Sequence, residues 1–206
     1  MIGRLITALI VFGNWGGPGV HSIQIQSSTS PSELLQVLQS EQTTDRGRDD
    51  LLRFGRSDPE VRQYLAAHLP LLIERGPSGP TCASYPCRTW RNAVEVAGNL
   101  KIGETAPALA RWIAVKDINP WPGIQPYGLK HEMINPTAIA LYEIGDPAIP
   151  ALRHVIESGS TDEHALAVRA LCAIQTPKAK AVLRADLRHE PDSSLQALIK
   201  RALEEK

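Results

Sequence analysis

The residues of this 206-residue chain best suited to acid–base or metal chemistry are adjacent His/Glu pairs: His131-Glu132, His189-Glu190 and the reversed Glu163-His164. Imidazole nitrogens and carboxylate oxygens can share a cation, but a metal centre needs convergent ligands from several segments. The other histidines, His21, His68 and His154, are scattered. His68 and His154 fall on helical patterns, where a solvent-facing or structurally bonded imidazole is the ordinary explanation. There is no glycine-rich phosphate loop, no Gly-x-Ser-x-Gly elbow and no His-Glu-x-x-His helix, so none of the chemistry those motifs position is indicated. The expectation is no catalytic residue, no metal and no cofactor.

Thiols are the other reactive groups. Cys82 and Cys87 stand in "GPTCASYPCRTW", a segment whose Gly, Pro and Ser content marks a loop. A local Cys82–Cys87 disulfide is the preferred reading, with two free thiols as the alternative; no second Cys or His pair completes a four-ligand metal site. Cys87-Arg88 near Trp90 could suggest a reactive thiol, but the sequence places no base beside it. Cys172, in "RALCAIQ", lies on an apolar helical face and reads as a small buried thiol.

Lys plus Arg and Asp plus Glu number 22 each, so no global field draws in nucleic acid or an anionic membrane. The densest charge run, Asp45 to Arg62, mixes both signs, as a solvated helix face does. Apolar residues make up 43% of the chain, enough for a buried core. The start, "MIGRLITALIVFGNWGGPGVHS", places Arg4 before the apolar run Leu5 to Phe12, then a Gly-rich break and Val20-His21-Ser22. That order predicts a signal peptide over 1–22, cut before Ile23, and hence a secreted or periplasmic protein. The apolar run is too short for a stable membrane span.

The remaining elements are helical. Residues 23–30 read as a polar tether, followed by Ser30-Pro31-Ser32-Glu33 as cap, first helical residue and capping box. A helix to about Ser40, a segment around Asp49 to Arg56 and a helix from Pro59 to Glu74 follow, with Pro70 expected to kink or end the last one early. Further helical stripes run over Arg91–Ile102, Ala106–Val115, Thr137–Ile144, the stretch from Ile149, His164–Ile174, Lys178–Arg188 and Ser193–Glu205. "NLKIGETAPALARWI", "ALYEIGDPAIPALRHVI" and "ALCAIQTPKAKAVLRADL" share a helix end, a tight turn and a restart. Glycine past the helix tolerates a left-handed backbone, Asp or Thr caps the next helix, and Pro suits its first turn.

These segments resemble HEAT-like repeats of the phycobilisome-lyase type, "AIALYEIGDPAIPALRHVI" most closely, over about half of the chain. The resemblance implies an all-α fold, a short α-α superhelix or helical repeat solenoid. Its domain would span 31–206, with the clearest repeats at 89–115, 134–158 and 162–189, a degenerate unit at Leu51 to Ile73 and a capping helix at 193–205. It also implies a binding module, since stacked helix pairs present an extended surface. Some HEAT-like enzymes hold iron through repeated His-Glu pairs that begin the first helix of a repeat. Here His189-Glu190 ends a second helix, and only the inverted Glu163-His164 is near that position.

The expected function is therefore a non-catalytic, monomeric, exported scaffold for a protein partner. An enzyme on the same repeats, a lyase or isomerase or a metal-dependent hydroxylase, is the alternative. The insert Asp117 to Met133 carries Trp121, Tyr127 and three prolines, so Trp121 and Tyr127 are the candidate partner-binding residues. A self-packed loop covering the edge between repeats is an equally open reading of it. Trp90 and Trp112 read as core.

Overall fold

A computed structural model describes residues 30–40, 42–77, 85–115 and 135–204. Among them every regular element is helical: α1 (Pro31–Gln39), α2 (Thr44–Ser57), α3 (Pro59–Glu74), α4 (Tyr85–Asn99), α5 (Ala106–Arg111), α6 (Pro136–Ile144), α7 (Ile149–Ser158), α8 (Thr161–Ile174), α9 (Pro177–Asp186) and α10 (Ser193–Glu204). Short 3-10 turns, Gly103–Thr105 and Asp146–Ala148, precede α5 and α7. The fold is all-α, as the patterning predicts. The signal segment 1–22 and the tether up to residue 29 lie outside the described residues.

Side-chain caps set most of the starts. Ser30 Oγ accepts from Glu33 N at 3.3 Å while Glu33 Oε2 accepts from Ser30 N at 2.8 Å, which satisfies two donors that the first turn leaves open. Asp58 Oδ1 accepts from Glu60 N and Val61 N ahead of Pro59. Ser160 and Glu163 repeat the capping box at α8, and Thr176 caps α9 ahead of Pro177. Pro70 does not end the helix early: α3 runs through it to Glu74. Leu65 and Leu69 before the proline and Leu72 and Ile73 after it are all buried, and their packing outweighs the one backbone hydrogen bond that proline removes. Trp90, 2% exposed, donates its indole N–H to Ile73 O at 3.1 Å and helps close the end of α3.

The helices pack in two series. Helices α2, α4, α6, α8 and α10 each touch the next, as do α3, α5, α7 and α9, with hairpin contacts joining the series at α2–α3, α7–α8 and α8–α9. The apolar stripes meet between the series; Leu51, Leu65, Leu109, Leu141, Leu152 and Leu171 are fully buried there.

The turns carry contacts from one helix pair to the next. Lys101, at φ 53°, takes the positive-φ position after α4, so Gly103 is not the helix stop that its place in the sequence suggests. Gly103 instead makes room: a Cβ there would lie 2.8 Å from Pro147 Cβ in the following turn. Gly145 does adopt positive φ, 78°, which a side chain would disfavour. Asp146 does not cap α7. Its carboxylate faces the third turn, with Lys178 Nζ 3.2 Å from Oδ2. The Thr176 hydroxyl first, then Lys178, holds its pKa below the usual carboxylate value.

Candidate functional site

Two of the three His/Glu pairs contribute one residue each to a single cluster. Glu163 is spent on the start of α8, where its Oε2 accepts from Ser160 N at 2.7 Å. His164, the fourth residue of α8, reaches the other end of the hairpin, the C-terminus of α9 and the turn beyond it. Its Nε2 lies 2.8 Å from Glu190 Oε2 and 3.4 Å from Asp186 Oδ2.

The acidic side is built by backbone and caps. His189 N and Glu190 N both donate to Asp186 O, at 2.8 and 3.0 Å, wrapping the chain tightly after α9. Glu190 Oε1 accepts from Asp192 N at 2.7 Å, and Glu190 O accepts from the Gln196 side chain at 2.6 Å. Asp192 in turn caps α10 through Ser194 N and Leu195 N. The side chains of Asp186 and Glu190 are only 7% and 3% exposed, and that of His164 is 23% exposed. Burial pushes the Asp186 carboxyl above the usual range, the His164 imidazole opposes this, and Glu190 adds to it. Asp186 Oδ2 is buried with no hydrogen-bond partner. Chemically, the cluster can hold one shared proton on the imidazole, or a cation among three donor atoms that lie within 4.8 Å of one another.

Asp186 and His189 also border a groove of about 550 Å³ between α7 and α9, floored by Ile156, Ala181, Val182 and Ala185. A second recess of about 450 Å³ continues it along the same helices toward Ile149, Pro150 and Lys178. Both are rimmed by Arg153 and Glu157, paired at 2.7 Å. The sequence pattern makes this surface because Lys178, Ala181, Val182 and Ala185 fall at helical spacing on α9, with small alanines leaving the depression.

A second polar group joins α2, α4 and α6. Arg48 lies 3.4 Å from Glu95, and Asn92 donates to Thr44 and Asp45. Glu143 Oε2 is buried without a partner beside Gly98, where an added Cβ would sit 2.4 Å from it. Burial, then the nearby Glu95 charge, pushes the Glu143 carboxyl up to about 7, against the opposing Lys101. Burial raises the Glu95 carboxyl as well, opposed by Arg48.

Trp121 and Tyr127, the candidate partner-binding residues, lie outside the described residues, as do His131 and Glu132. The ends of their segment are fixed, however. Asn135 donates to Ile113 O and Thr137 to Trp112 O at 3.1 Å, so α6 begins where α5 ends. Cys82, of the expected disulfide, is also outside the described residues; Cys87 is buried at the start of α4. Cys172 is buried on α8, and Trp90 is core, while Trp112 is half-buried against Gly76. No helix among the described residues is long and apolar enough to cross a membrane.

Reading the histidines as bystanders misses the cluster, because His164 and Glu190 stand 26 positions apart. The available signal is the hairpin itself: an antiparallel helix pair returns the end of its second helix to the start of its first. No protein-family model, curated protein or solved structure matches the chain.

Proposed function

We propose that the chain is an exported HEAT-like repeat scaffold whose groove between α7 and α9 docks a segment of a protein partner. The observation that carries this reading is the groove: two adjoining recesses, about 550 and 450 Å³, run along one helix pair with an apolar floor and charged rims. Two parallel series of helices with stacked turns are what a solenoid of helix pairs requires, and they support the superhelical reading. The fitting occupant is an amphipathic segment, apolar toward Ile156, Val182 and Ala185 and polar where it passes the Arg153–Glu157 and Lys178–Asp146 pairs. Trp121 and Tyr127, which lie outside the described residues, are proposed to add partner contacts. A Cys82–Cys87 disulfide suits the same exported setting.

Affinity capture from the native source tests this with three purified proteins. Wild type should retain a specific partner, the A181R/A185R double variant should lose it, and W121A/Y127A should weaken it. Ala181 and Ala185 are exposed, so the charged pair leaves the core untouched. A partner retained by A181R/A185R would remove the groove from the account. The alternative, an enzyme on the same scaffold, is favoured by the buried His164–Asp186–Glu190 cluster at the end of the groove.

A further inference from the structure

We infer that His164, Asp186 and Glu190 form a binding site for one divalent transition cation, zinc being the ion that the donors suit best. The inference stands on coordination geometry and on an unmet buried group, and it does not depend on what the groove holds.

The unmet group is Asp186 Oδ2. It is buried, accepts no hydrogen bond and points into the space shared with His164 Nε2 at 3.4 Å. A buried carboxylate oxygen without a hydrogen-bond donor costs free energy, and its ion-pair neighbour, His164 Nε2 at 3.4 Å, makes no hydrogen bond to it. Glu190 Oε2, at 2.8 Å from the same nitrogen, supplies a second anionic oxygen on the other side. A single proton on Nε2 can serve one of these oxygens well; it cannot serve both. A dication among the three satisfies all of them and offsets the two carboxylate charges, leaving a neutral imidazole as the third donor.

Distances agree with that placement. Zinc binds His nitrogen and carboxylate oxygen at about 2.0–2.2 Å, so ligand atoms 2.8 and 3.4 Å apart subtend roughly 85° and 110° at the metal. Both lie within the range of ordinary coordination shells, and the two carboxylate oxygens lie within 4.8 Å of each other. One nitrogen with two oxygens favours zinc or a neighbouring transition ion over calcium or magnesium, which take oxygen shells. The supports of a metal site are present as well. Glu190 Oε1 is held by Asp192 N at 2.7 Å, which orients the carboxylate from behind. Three protein donors leave a coordination position open, and because Asp186 borders the α7–α9 groove, that position faces a water or a ligand group entering from it. The ion would also tie the start of α8 to the end of α9 and the turn before α10.

The test uses the full, untagged protein after chelator treatment, titrated with zinc chloride calorimetrically in a non-coordinating buffer. One equivalent should bind, and cobalt(II) in its place should give the visible ligand-field spectrum of a low-coordinate site. D186N and E190Q, each nearly isosteric and checked for fold by circular dichroism, should each weaken zinc binding at least ~10-fold. H68A, which removes an exposed imidazole on α3, should not. Absence of saturable binding by wild type up to millimolar zinc would overturn the site, and that result needs no variant to fold. Zinc binding by D186N and E190Q as tight as wild type would overturn it equally, by locating the ion elsewhere.

Discussion

Glu143 makes stability depend on pH in a way that can be worked through. Its carboxylate lies between α4 and α6 over the bare backbone of Gly98, with Oε2 unpartnered, and burial with the Glu95 charge raises its pKa from the ordinary 4.5 to about 7. The folded chain therefore holds a proton there that the unfolded chain has already released. By linkage, the corresponding stability is fully present below about 4.5 and is lost as pH rises through about 7. A gap of that size is worth at most about 3 kcal/mol, and partial exposure reduces it to about 1–2 kcal/mol. Glutamine keeps the shape of the protonated carboxyl and cannot ionise. E143Q should match wild type in urea unfolding at pH 4 and exceed it by about 1–2 kcal/mol at pH 8. Asp186, which is also raised, contributes the same slope to both proteins, while Glu95 is coupled to Glu143, so the difference reports Glu143 together with its effect on Glu95. An equal wild-type-to-variant difference at both pH values would refute the argument, as would an E143Q less stable at pH 8.

Two further substitutions test the packing. G103A should destabilise by about 1–3 kcal/mol in thermal or urea unfolding, because its Cβ meets Pro147 Cβ at 2.8 Å. If Gly103 were only a flexible turn residue, the same change would stabilise by about 0.4–1 kcal/mol through the unfolded chain, so the sign decides. W90F should cost about 2–3 kcal/mol, since it leaves a void in the core and removes the donor that meets Ile73 O.

What the sequence discloses here is local, and what it hides depends on contact between distant segments. Ser30-Pro31-Ser32-Glu33, Asp58-Pro59 and Thr176-Pro177 act through neighbours within four residues, so the starts they mark are readable directly. Pro70 does not end its helix early because the burial of Leu65, Leu69, Leu72 and Ile73 around it is tertiary, while only its local cost is plain in the sequence. Gly103 and Asp146 each look like part of a local turn, yet Gly103 yields space to Pro147 and Asp146 meets Lys178, each in the following turn. The His164 cluster is hidden for the same reason: Glu163-His164 and His189-Glu190 divide their roles, Glu163 capping α8 while His164 and Glu190 meet across the hairpin.

The docking claim is tested most directly by site-specific photo-crosslinking in the organism that makes the protein. A photoreactive amino acid at Ala181 or Ala185, on the exposed face of α9 that forms the groove, should capture one discrete protein partner, and the same group at exposed Ala67 on α3 should capture none. A partner captured equally from Ala67, or from neither groove position, would contradict the account.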